Sequence, residues 1–302
     1  MTTAQTVPAN PRPARGANPV PDSGRSVPWQ RAPRVLGILA IAVMAVIWLL
    51  PFLWALDTSF KSEADSSAIP LSWIPGGGFT LEAYRSILEQ GNLPIWLFNS
   101  VVVAVAVTLI TVVISALAAY GLSRTRFRGR ALLMSVIIAS IVVPAQILIV
   151  PLFQQMLSWN LVDTYLGVIL PQVLHPVMVY ILVKFFDAIP DELEDAARID
   201  GAGALRIFWN IVLPLSRGIL AAVAIFVFIG AWNNFLWPFI VINDPGLMTM
   251  PVGLQTVESA YGVQYAQNMA SAMLAALPLL SVFIFFQRQI IKGVATTGLG
   301  GQ

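Results

Sequence analysis

Residues 97–122 read LFNSVVVAVAVTLITVVISALAAYGL, and this stretch decides the fold class of the chain. It contains no Asp, Glu, Lys or Arg. An α-helix rises about 1.5 Å per residue and the hydrocarbon core of a membrane is about 30 Å thick, so roughly 20 such residues are enough to cross it. The stretch also lacks the strict alternation of apolar and polar residues that a membrane-spanning β-strand shows. It therefore predicts a transmembrane helix.

The rest of the chain has the same character. Of its 302 residues, 57% are hydrophobic and 11% are charged, and the mean hydropathy is +0.78. A soluble domain carries about 25% charged residues, so a water-soluble class is excluded. We predict an all-α, polytopic membrane protein with six transmembrane helices, at residues 35–56, 97–122, 131–157, 165–186, 218–242 and 269–287.

Prolines are expected to interrupt the third predicted span. Pro144 and Pro151 both fall inside it. Each lacks a backbone N–H donor, so this span is predicted to be a kinked or broken helix.

The remaining segments give the domain organisation. Residues 1–34 are rich in Pro, Ala, Gly and Arg and are predicted to form a disordered cytoplasmic tail. Residues 35–293 form the predicted transmembrane domain, which includes a cytoplasmic connection at 187–214, and residues 294–302 form a short C-terminal tail. The first apolar stretch begins late and is too long for a signal peptide, so we expect an uncleaved first span.

The basic residues are distributed unevenly between the two sides of the predicted bundle. Of the 17 Lys and Arg residues, only Lys61 and Arg85 fall in segments on one side. Cytoplasmic loops carry the excess of Lys and Arg, so both termini of this multi-pass protein are predicted to be cytoplasmic. The basic turn at residues 124–130 is explained by this orientation, or by contact with anionic lipid headgroups.

Several chemical functions are excluded by composition. The chain has no Cys and one His, so thiolate sites and multi-histidine metal sites cannot form. The net charge of +2 gives no reason to expect nucleic-acid binding. The sequence contains no G-x-x-x-x-G-K-[ST] loop, so the chain is not expected to bind ATP by itself. We predict no catalytic residues, no metal site and no cofactor bound by this chain.

The connection at 187–214 is predicted to contain two short helices joined by a turn. Pro190 suits the start of the first helix, and Gly201 suits its end. Spacing places Leu193, Ala196, Ala197 and Asp200 on one face of small side chains, which fits a helix that enters a groove closely.

Further contacts are expected within this connection. Glu194 and Arg198 are spaced for an i, i+4 ion pair. Asp200 is a candidate cap for the second helix. The second helix carries an apolar stripe that is predicted to pack beneath the bundle and consists of Leu205, Phe208, Trp209 and Val212.

This connection resembles the EAA loop of the membrane subunits of bacterial ABC importers, whose pattern is approximately E-A-A-x-x-D-G-A followed by L-P. The chain reads DAARIDGA at 195–202 and LP at 213–214. The first position departs from the pattern, with Asp195 in place of Glu, and Glu194 is a candidate for the contact of the longer side chain. The resemblance assigns coupling to a partner ATPase to Leu193, Glu194, Asp195, Ala196, Ala197, Asp200, Gly201 and Ala202.

Two further motifs resemble the carbohydrate branch of these importers: GAWNNFLWP at 230–238 and FQRQIIKG at 286–293. Together the motifs are similar to the smaller, six-span permease of the maltose-transporter type, and they imply the permease fold of a type I ABC importer. The resemblance implies a second homologous permease, two ABC ATPase subunits that use ATP and Mg²⁺, and an extracytoplasmic substrate-binding protein as partners, besides membrane lipid.

Other functions remain as alternatives at this point. Within the importers, glycerol phosphate or a glycerophosphodiester is the alternative cargo. A secondary carrier is a different class, but it would need charged residues embedded in the interiors of the spans, and the interiors of the six predicted spans contain none. An enzyme that uses the carboxylates of 191–200 is disfavoured because consecutive helical positions point these groups in different directions.

Polar and aromatic residues inside the predicted spans have two interpretations. Either they line a translocation path, or they bond one helix to another, because an unpaired polar group is costly in hydrocarbon. His175 precedes Pro176, and its side chain is expected to satisfy freed backbone groups rather than to transfer protons. The candidate path residues are Gln146, Gln172, His175, Trp232, Asn233 and Asn234.

Overall fold

A computed structural model of the protein describes residues 31–89, 92–261 and 264–299. Within these residues all regular structure is helical, which confirms the all-α prediction. Most of the predicted N-terminal tail, at 1–30, lies outside the described residues, as do residues 300–302.

The helices of the first half are α1 (Arg31–Ser59), α2 (Glu63–Ser66), α3 (Glu82–Glu89), α4 (Leu93–Arg124), α5 (Arg130–Val142), α6 (Ile149–Ser158) and α7 (Tyr165–Ile169). Those of the second half are α8 (Pro176–Asp187), α9 (Asp191–Ile199), α10 (Ala204–Ile207), α11 (Leu213–Leu215), α12 (Arg217–Trp232), α13 (Leu236–Val241), α14 (Met250–Tyr261) and α15 (Tyr265–Leu299). Short 3₁₀ turns cover Ala145–Leu148 and Leu170–Gln172, and a π turn covers Phe208–Val212.

Long apolar helices and bent pairs overlap all six predicted spans, although the third bent pair reaches only residues 218–232 of the fifth. Three unbroken segments are long and apolar enough to cross a membrane: Val35–Ser59, Leu93–Arg124 and Tyr265–Gln287. Three helix pairs pass the same criterion together but are bent by 96°, 47° and 79°. If each bent pair is counted as one span, the described residues contain up to six, in agreement with the predicted number.

The third predicted span is broken at the predicted place. Its two helices, α5 and α6, meet at 96° on either side of Pro144, which lies just before the 3₁₀ turn. Pro151 causes no break because it lies in the first turn of α6, where a backbone N–H would have no partner within the helix.

The fifth predicted span, at 218–242, is not one continuous helix. Helix α12 ends at Trp232, and α13 begins only at Leu236. The side-chain amide of Asn233 donates to the carbonyl of Ile229 at 2.9 Å, and the backbone N–H of Asn233 donates to the same carbonyl at 3.1 Å.

The chain divides into two compact units, residues 1–52 and 53–302. In the first unit, the apolar side chains of α1 from Val35 onward are exposed, as expected for a lipid-facing helix. In the second unit, α4 packs against α8 and α12, and α12 also packs against α15. The core between these helices includes Val103, Val107, Leu182, Val183 and Val223, all buried.

A side chain from α4 donates a hydrogen bond to a carbonyl at the break in the fourth span. Helices α7 and α8 meet at 47°, and the carbonyl of Val173 lies between them. The hydroxyl of Thr111 donates to this carbonyl at 3.1 Å. A buried carbonyl therefore keeps a partner although the helix is interrupted.

The end of α4 that carries Trp96, here called the Trp96 end, holds the loop before α14. The indole Nε1 of Trp96 donates to the carbonyl of Pro245 at 2.9 Å. The amide of Asn99 donates to the carbonyls of Gly246 and Met248, each at 2.9 Å. Neutral bonds to backbone carbonyls thus fix the loop against the helix end.

Asp163 makes a second connection at this loop. Its carboxylate accepts a hydrogen bond from the backbone N–H of Asn243 and another from that of Asp244, the latter at 3.0 Å. These backbone hydrogen bonds lower the pKa of Asp163 below its ordinary value, because they favour the ionised form.

We expect Asp163→Asn to lower the free energy of unfolding at neutral pH by about 0.5–1 kcal/mol after discounting for solvent screening. Because the folded-state pKa is lowered, the wild-type advantage is complete above the ordinary carboxyl pKa of about 4 and is lost as the pH falls below it. Thermal unfolding of both proteins in detergent from pH 7 downward checks this. If the difference in stability between the two proteins stays constant across the pH series, the prediction is contradicted. Glu192→Gln, at an exposed carboxylate, is the control.

Candidate functional site

Helix α9 forms at the predicted place in the connection at 187–214. Pro190 is its N-cap, so the helix begins at Asp191, one residue after the predicted start, and acidic residues occupy the first turn. At the other end, Gly201 has a φ of +80°. The N–H of Ala202 donates to the carbonyl of Ala197 at 2.9 Å, and that of Gly201 donates to the carbonyl of Arg198 at 3.0 Å. These two bonds form a Schellman motif, which confirms Gly201 as the helix stop.

The capping prediction for Asp200 was wrong. Asp200 is the C-cap of α9, and the N-cap of α10 is Gly203. The Schellman turn and Gly203 place three residues between Asp200 and Ala204, the first residue of α10, and no side chain caps α10.

Arg124, the last residue of α4, anchors α9 to the bundle. Its guanidinium forms an ion pair with Asp191 and donates to the backbone carbonyls of Phe186 and Ile189. Its Nε lies 3.3 Å from Oε1 of Glu194. The side chain of Arg124 is 5% exposed and that of Glu194 is 2% exposed, so this is a buried ion pair. No sequence pattern indicates this pair, because Arg124 is one of several arginines in the basic turn.

Glu194 bridges two arginines. Its other oxygen, Oε2, lies 2.9 Å from Arg198, which confirms the predicted i, i+4 pair. Arg198 also binds Asp195 at 2.8 Å. The carboxylate of Glu194 is therefore enclosed in the loop, whereas Asp195 is exposed.

The predicted coupling face divides into an exposed and a packed part. Leu193, Ala196 and Asp200 are exposed, whereas Ala197 and Ala202 are half-buried and pack against the core. The exposed part is a small surface of a leucine, a methyl group and a carboxylate on a helix whose position is fixed by Arg124.

The apolar stripe of the second helix is only partly as predicted. Phe208 and Val212 are buried together with Ile207, but Leu205 and Trp209 are exposed. Helix α10 widens into the π turn Phe208–Val212, so a prediction based on α-helical spacing fails here. Tyr120 of α4, which the sequence did not indicate, fixes this segment: its hydroxyl donates to the carbonyl of Ala204 at 3.0 Å.

The breaks in the fourth and fifth spans meet through polar side chains. The amide of Asn234 donates to Oε1 of Gln172 at 2.7 Å. Close by in the chain, the indole of Trp237 donates to the carbonyl of Gly167 at 3.0 Å. Of the candidate path residues, the structure thus brings Gln172 and Asn234 together as a bond between spans.

The other candidate path residues lie apart from this pair. Trp232 is buried, and its indole donates to the carbonyl of Ala275 in α15 at 3.2 Å. Asn233 bonds within its own helix end, and Gln146 is exposed. His175 is exposed at the N-cap of α8, and its side chain makes no capping hydrogen bond, contrary to the expectation that it satisfies freed backbone groups.

Metal chemistry has no basis in the described part of the chain. Among those residues, no group of three or more His, Asp or Glu side chains is placed to hold a metal ion. The carboxylates of α9 are instead used in ion pairs with Arg124 and Arg198.

We expect Arg124→Gln to lower the free energy of unfolding by about 3 kcal/mol, because it leaves the buried Glu194 with only the half-exposed Arg198 as counter-charge. In the Arg124→Gln variant, Glu194→Gln should lower the free energy of unfolding by less than it does in the wild-type protein. The expected coupling energy between the two substitutions is about 1–3 kcal/mol. Thermal unfolding of the two single variants and the double variant measures both quantities. The matched control is Arg126→Gln, at an exposed arginine of the same turn. If the effects of Arg124→Gln and Glu194→Gln simply add in the double variant, the two side chains are not coupled, which contradicts the role of Arg124 as the anchor of α9.

A second prediction concerns Gly201. An added Cβ at this residue meets nothing within 4 Å, so only the backbone conformation opposes a substitution. We expect Gly201→Val to destabilise the end of α9 by about 1–2 kcal/mol, and Gly201→Asn to cost less because Asn tolerates the left-handed region. Hydrogen exchange of residues 191–202 measures the effect. Gly203→Ala, at a φ of −76°, is the control, and equal exchange in Gly201→Val and the control would contradict the prediction.

Comparison with known proteins places this geometry in a family. The model of the family described as "Binding-protein-dependent transport system inner membrane component" matches residues 111–295. The chain is 35% identical over 268 residues to the sulfoquinovosyl glycerol transport system permease protein SmoH of Agrobacterium fabrum, which covers 88% of this chain and 94% of SmoH. It is 34% identical over 263 residues to the sn-glycerol-3-phosphate transport system permease protein UgpE of Yersinia enterocolitica, which covers 83% of this chain and 94% of UgpE.

A solved structure shares the fold. It is the crystal structure of a bacterial ABC transporter involved in the import of the acidic polysaccharide alginate, with a TM-score of 0.77 and 20% identity. The match covers 87% of this chain and 98% of the matched chain. The predicted permease fold is therefore confirmed, and the chain is a multi-pass membrane permease component rather than an enzyme. It belongs to the family of binding-protein-dependent transport system inner membrane components.

Proposed function

We propose that this chain is one permease subunit of a carbohydrate ABC importer, and that α9 is the helix through which a separate ATPase drives it. One observation carries the proposal: α9 exposes a small face while Arg124 holds its buried side on α4. A force applied to the exposed Leu193 and Ala196 therefore reaches the bundle core rather than bending a free loop.

The proposed roles of the partner subunits follow from the absence of an ATP-binding motif in this sequence. No phosphate-binding loop occurs in this chain, so a pair of ATPase subunits supplies the site for ATP and Mg²⁺. ATP binding draws the ATPase subunits together and moves the seated α9 helices of this chain and a second, homologous permease. The cavity between the permeases then opens outward, toward an extracytoplasmic binding protein that delivers the cargo.

The proposal places the end of α4 that carries Arg124 in the cytoplasm, with both chain termini. The distribution of Lys and Arg supports this orientation. Arg126 and Arg128 are exposed at that end, beside the connection that contains α9. The Trp96 end and the loop that it holds then face the binding protein.

A carbohydrate is the cargo that we favour. SmoH is named for the transport of a sugar glycoside, and the GAWNNFLWP motif at 230–238 resembles the carbohydrate branch. Glycerol phosphate is the second candidate, because UgpE is similar to this chain to almost the same degree. Binding assays of the partner binding protein with both classes of compound distinguish the two.

The coupling role is tested by Ala196→Glu in the complex assembled with its second permease and ATPase. Ala196 is exposed, so the variant should insert into membranes normally, while the added carboxylate obstructs a close groove. We expect substrate-stimulated ATP hydrolysis in vesicles to fall to the basal rate. Ala204→Glu makes the same change at an exposed alanine outside α9 and should retain stimulation. Full stimulation in Ala196→Glu would refute the coupling role.

A further inference from the structure

The segment of residues 204–215, here called the surface segment, runs across the direction of the spans. It consists of α10, the π turn and α11, and its axis makes an angle of 79° with α12. Of the two parts of this bent pair, α12 is the more apolar after its first residue, Arg217, and we take it as the part that crosses the membrane. Spanning helices are tilted by about 20° on average. The surface segment therefore lies close to the plane of the membrane, at the level where α12 begins.

One side of the surface segment is fixed to the bundle. Ile207, Phe208 and Val212 are buried, and the ring of Tyr120 packs on that of Phe208 with centroids 5.0 Å apart. The hydrogen bond from Tyr120 to the carbonyl of Ala204 adds a directional contact. These contacts determine which side of the segment faces outward.

The outward side combines large apolar groups with cations. Leu205 is 68% exposed and Trp209 is 59% exposed, one helical turn apart. Arg206, the next residue after Leu205, and Arg217, the first residue of α12, are also exposed, and neither forms an ion pair with a described side chain. The indole N–H of Trp209 likewise has no hydrogen-bond partner within the described residues.

We propose that this outward side is a lipid-binding surface, which inserts Leu205 and Trp209 into the headgroup region of the inner leaflet and binds anionic headgroups through Arg206 and Arg217. Trp concentrates at membrane interfaces because its ring is apolar and its N–H is polar, and each arginine near an anionic surface contributes about 1 kcal/mol. The inference goes beyond the coupling role. It rests on the membrane location and on the proposed cytoplasmic orientation, not on what binds α9.

Two observations favour lipid over the ATPase as the partner of this surface: the orientation of the segment and the chemistry of its outward side chains. The segment lies along the membrane plane, and its outward side carries bulky apolar groups next to cations, as interfacial helices do. The exposed part of α9 is small and acidic instead, with Ala196 and Asp200. The two surfaces therefore suit different partners.

The chain contains no cysteine, so single-cysteine variants accept one nitroxide label each. We would label Leu205→Cys and Trp209→Cys in the full chain, reconstituted into vesicles of phosphatidylcholine with phosphatidylglycerol. Collision rates with oxygen, which partitions into lipid, and with a water-soluble nickel chelate then report the surroundings. Two controls bracket them: Phe285→Cys on the exposed surface of α15, expected in lipid, and Ile199→Cys at the end of α9, expected in water.

We expect both surface labels to collide more with oxygen than with nickel, as the Phe285 label does. Labels that behave like the Ile199 control overturn the proposal. Labels that lose both kinds of collision only when the ATPase is added also overturn it, since they assign the surface to that partner. The labels are first measured on the permease without the ATPase. The result therefore tests the lipid-binding surface even if α9 has no coupling role.

The headgroup contribution is measured separately by binding of phosphatidylglycerol to the detergent-purified chain. Each arginine should strengthen that binding about fivefold, so Arg206→Gln with Arg217→Gln should weaken it about 25-fold. The matched control is the exposed pair Arg126→Gln with Arg128→Gln, expected to have the smaller effect. An equal loss in both double variants would contradict a specific role of the surface segment.

Discussion

The interior of a membrane contains no water to bond a free peptide group, and this constraint acts at the breaks in the spans of this protein. Each interruption frees N–H or C=O groups that must find another partner. Thr111 supplies one to the carbonyl of Val173, and Trp237 supplies one to the carbonyl of Gly167. Several polar side chains in the apolar helices are thus explained by the backbone, before any contact with cargo is considered.

The buried ion pair of Arg124 and Glu194 determines where α9 lies. Burying two charges is costly, and such a pair is weak support for stability as such. Its consequence here is positional. Helix α9 has only nine residues, too few to be stable alone, and the guanidinium fixes it against α4 through two carboxylates and two backbone carbonyls. A short helix thereby becomes a rigid part of the bundle with one free face.

Local signals in the sequence predicted local features well. The break at Pro144, the stop at Gly201 and the pair of Glu194 with Arg198 each depend on one residue or on a fixed helical spacing. The break after Trp232 was missed, because two asparagines in an apolar run do not by themselves distinguish an interrupted helix from a continuous one. The exposed positions of the surface segment were missed because a π turn changes the helical spacing.

The sequence by itself determined that the chain is an all-helical membrane protein, where its apolar segments lie, and which loop carries the motif of its family. These follow from hydropathy, length and short-range spacing. Only the tertiary structure decided that Arg124 binds a carboxylate 67 positions away, that Gln172 meets Asn234, and that Trp232 is buried. Such contacts depend on how distant helices pack, and no period or local motif in the sequence contains that information.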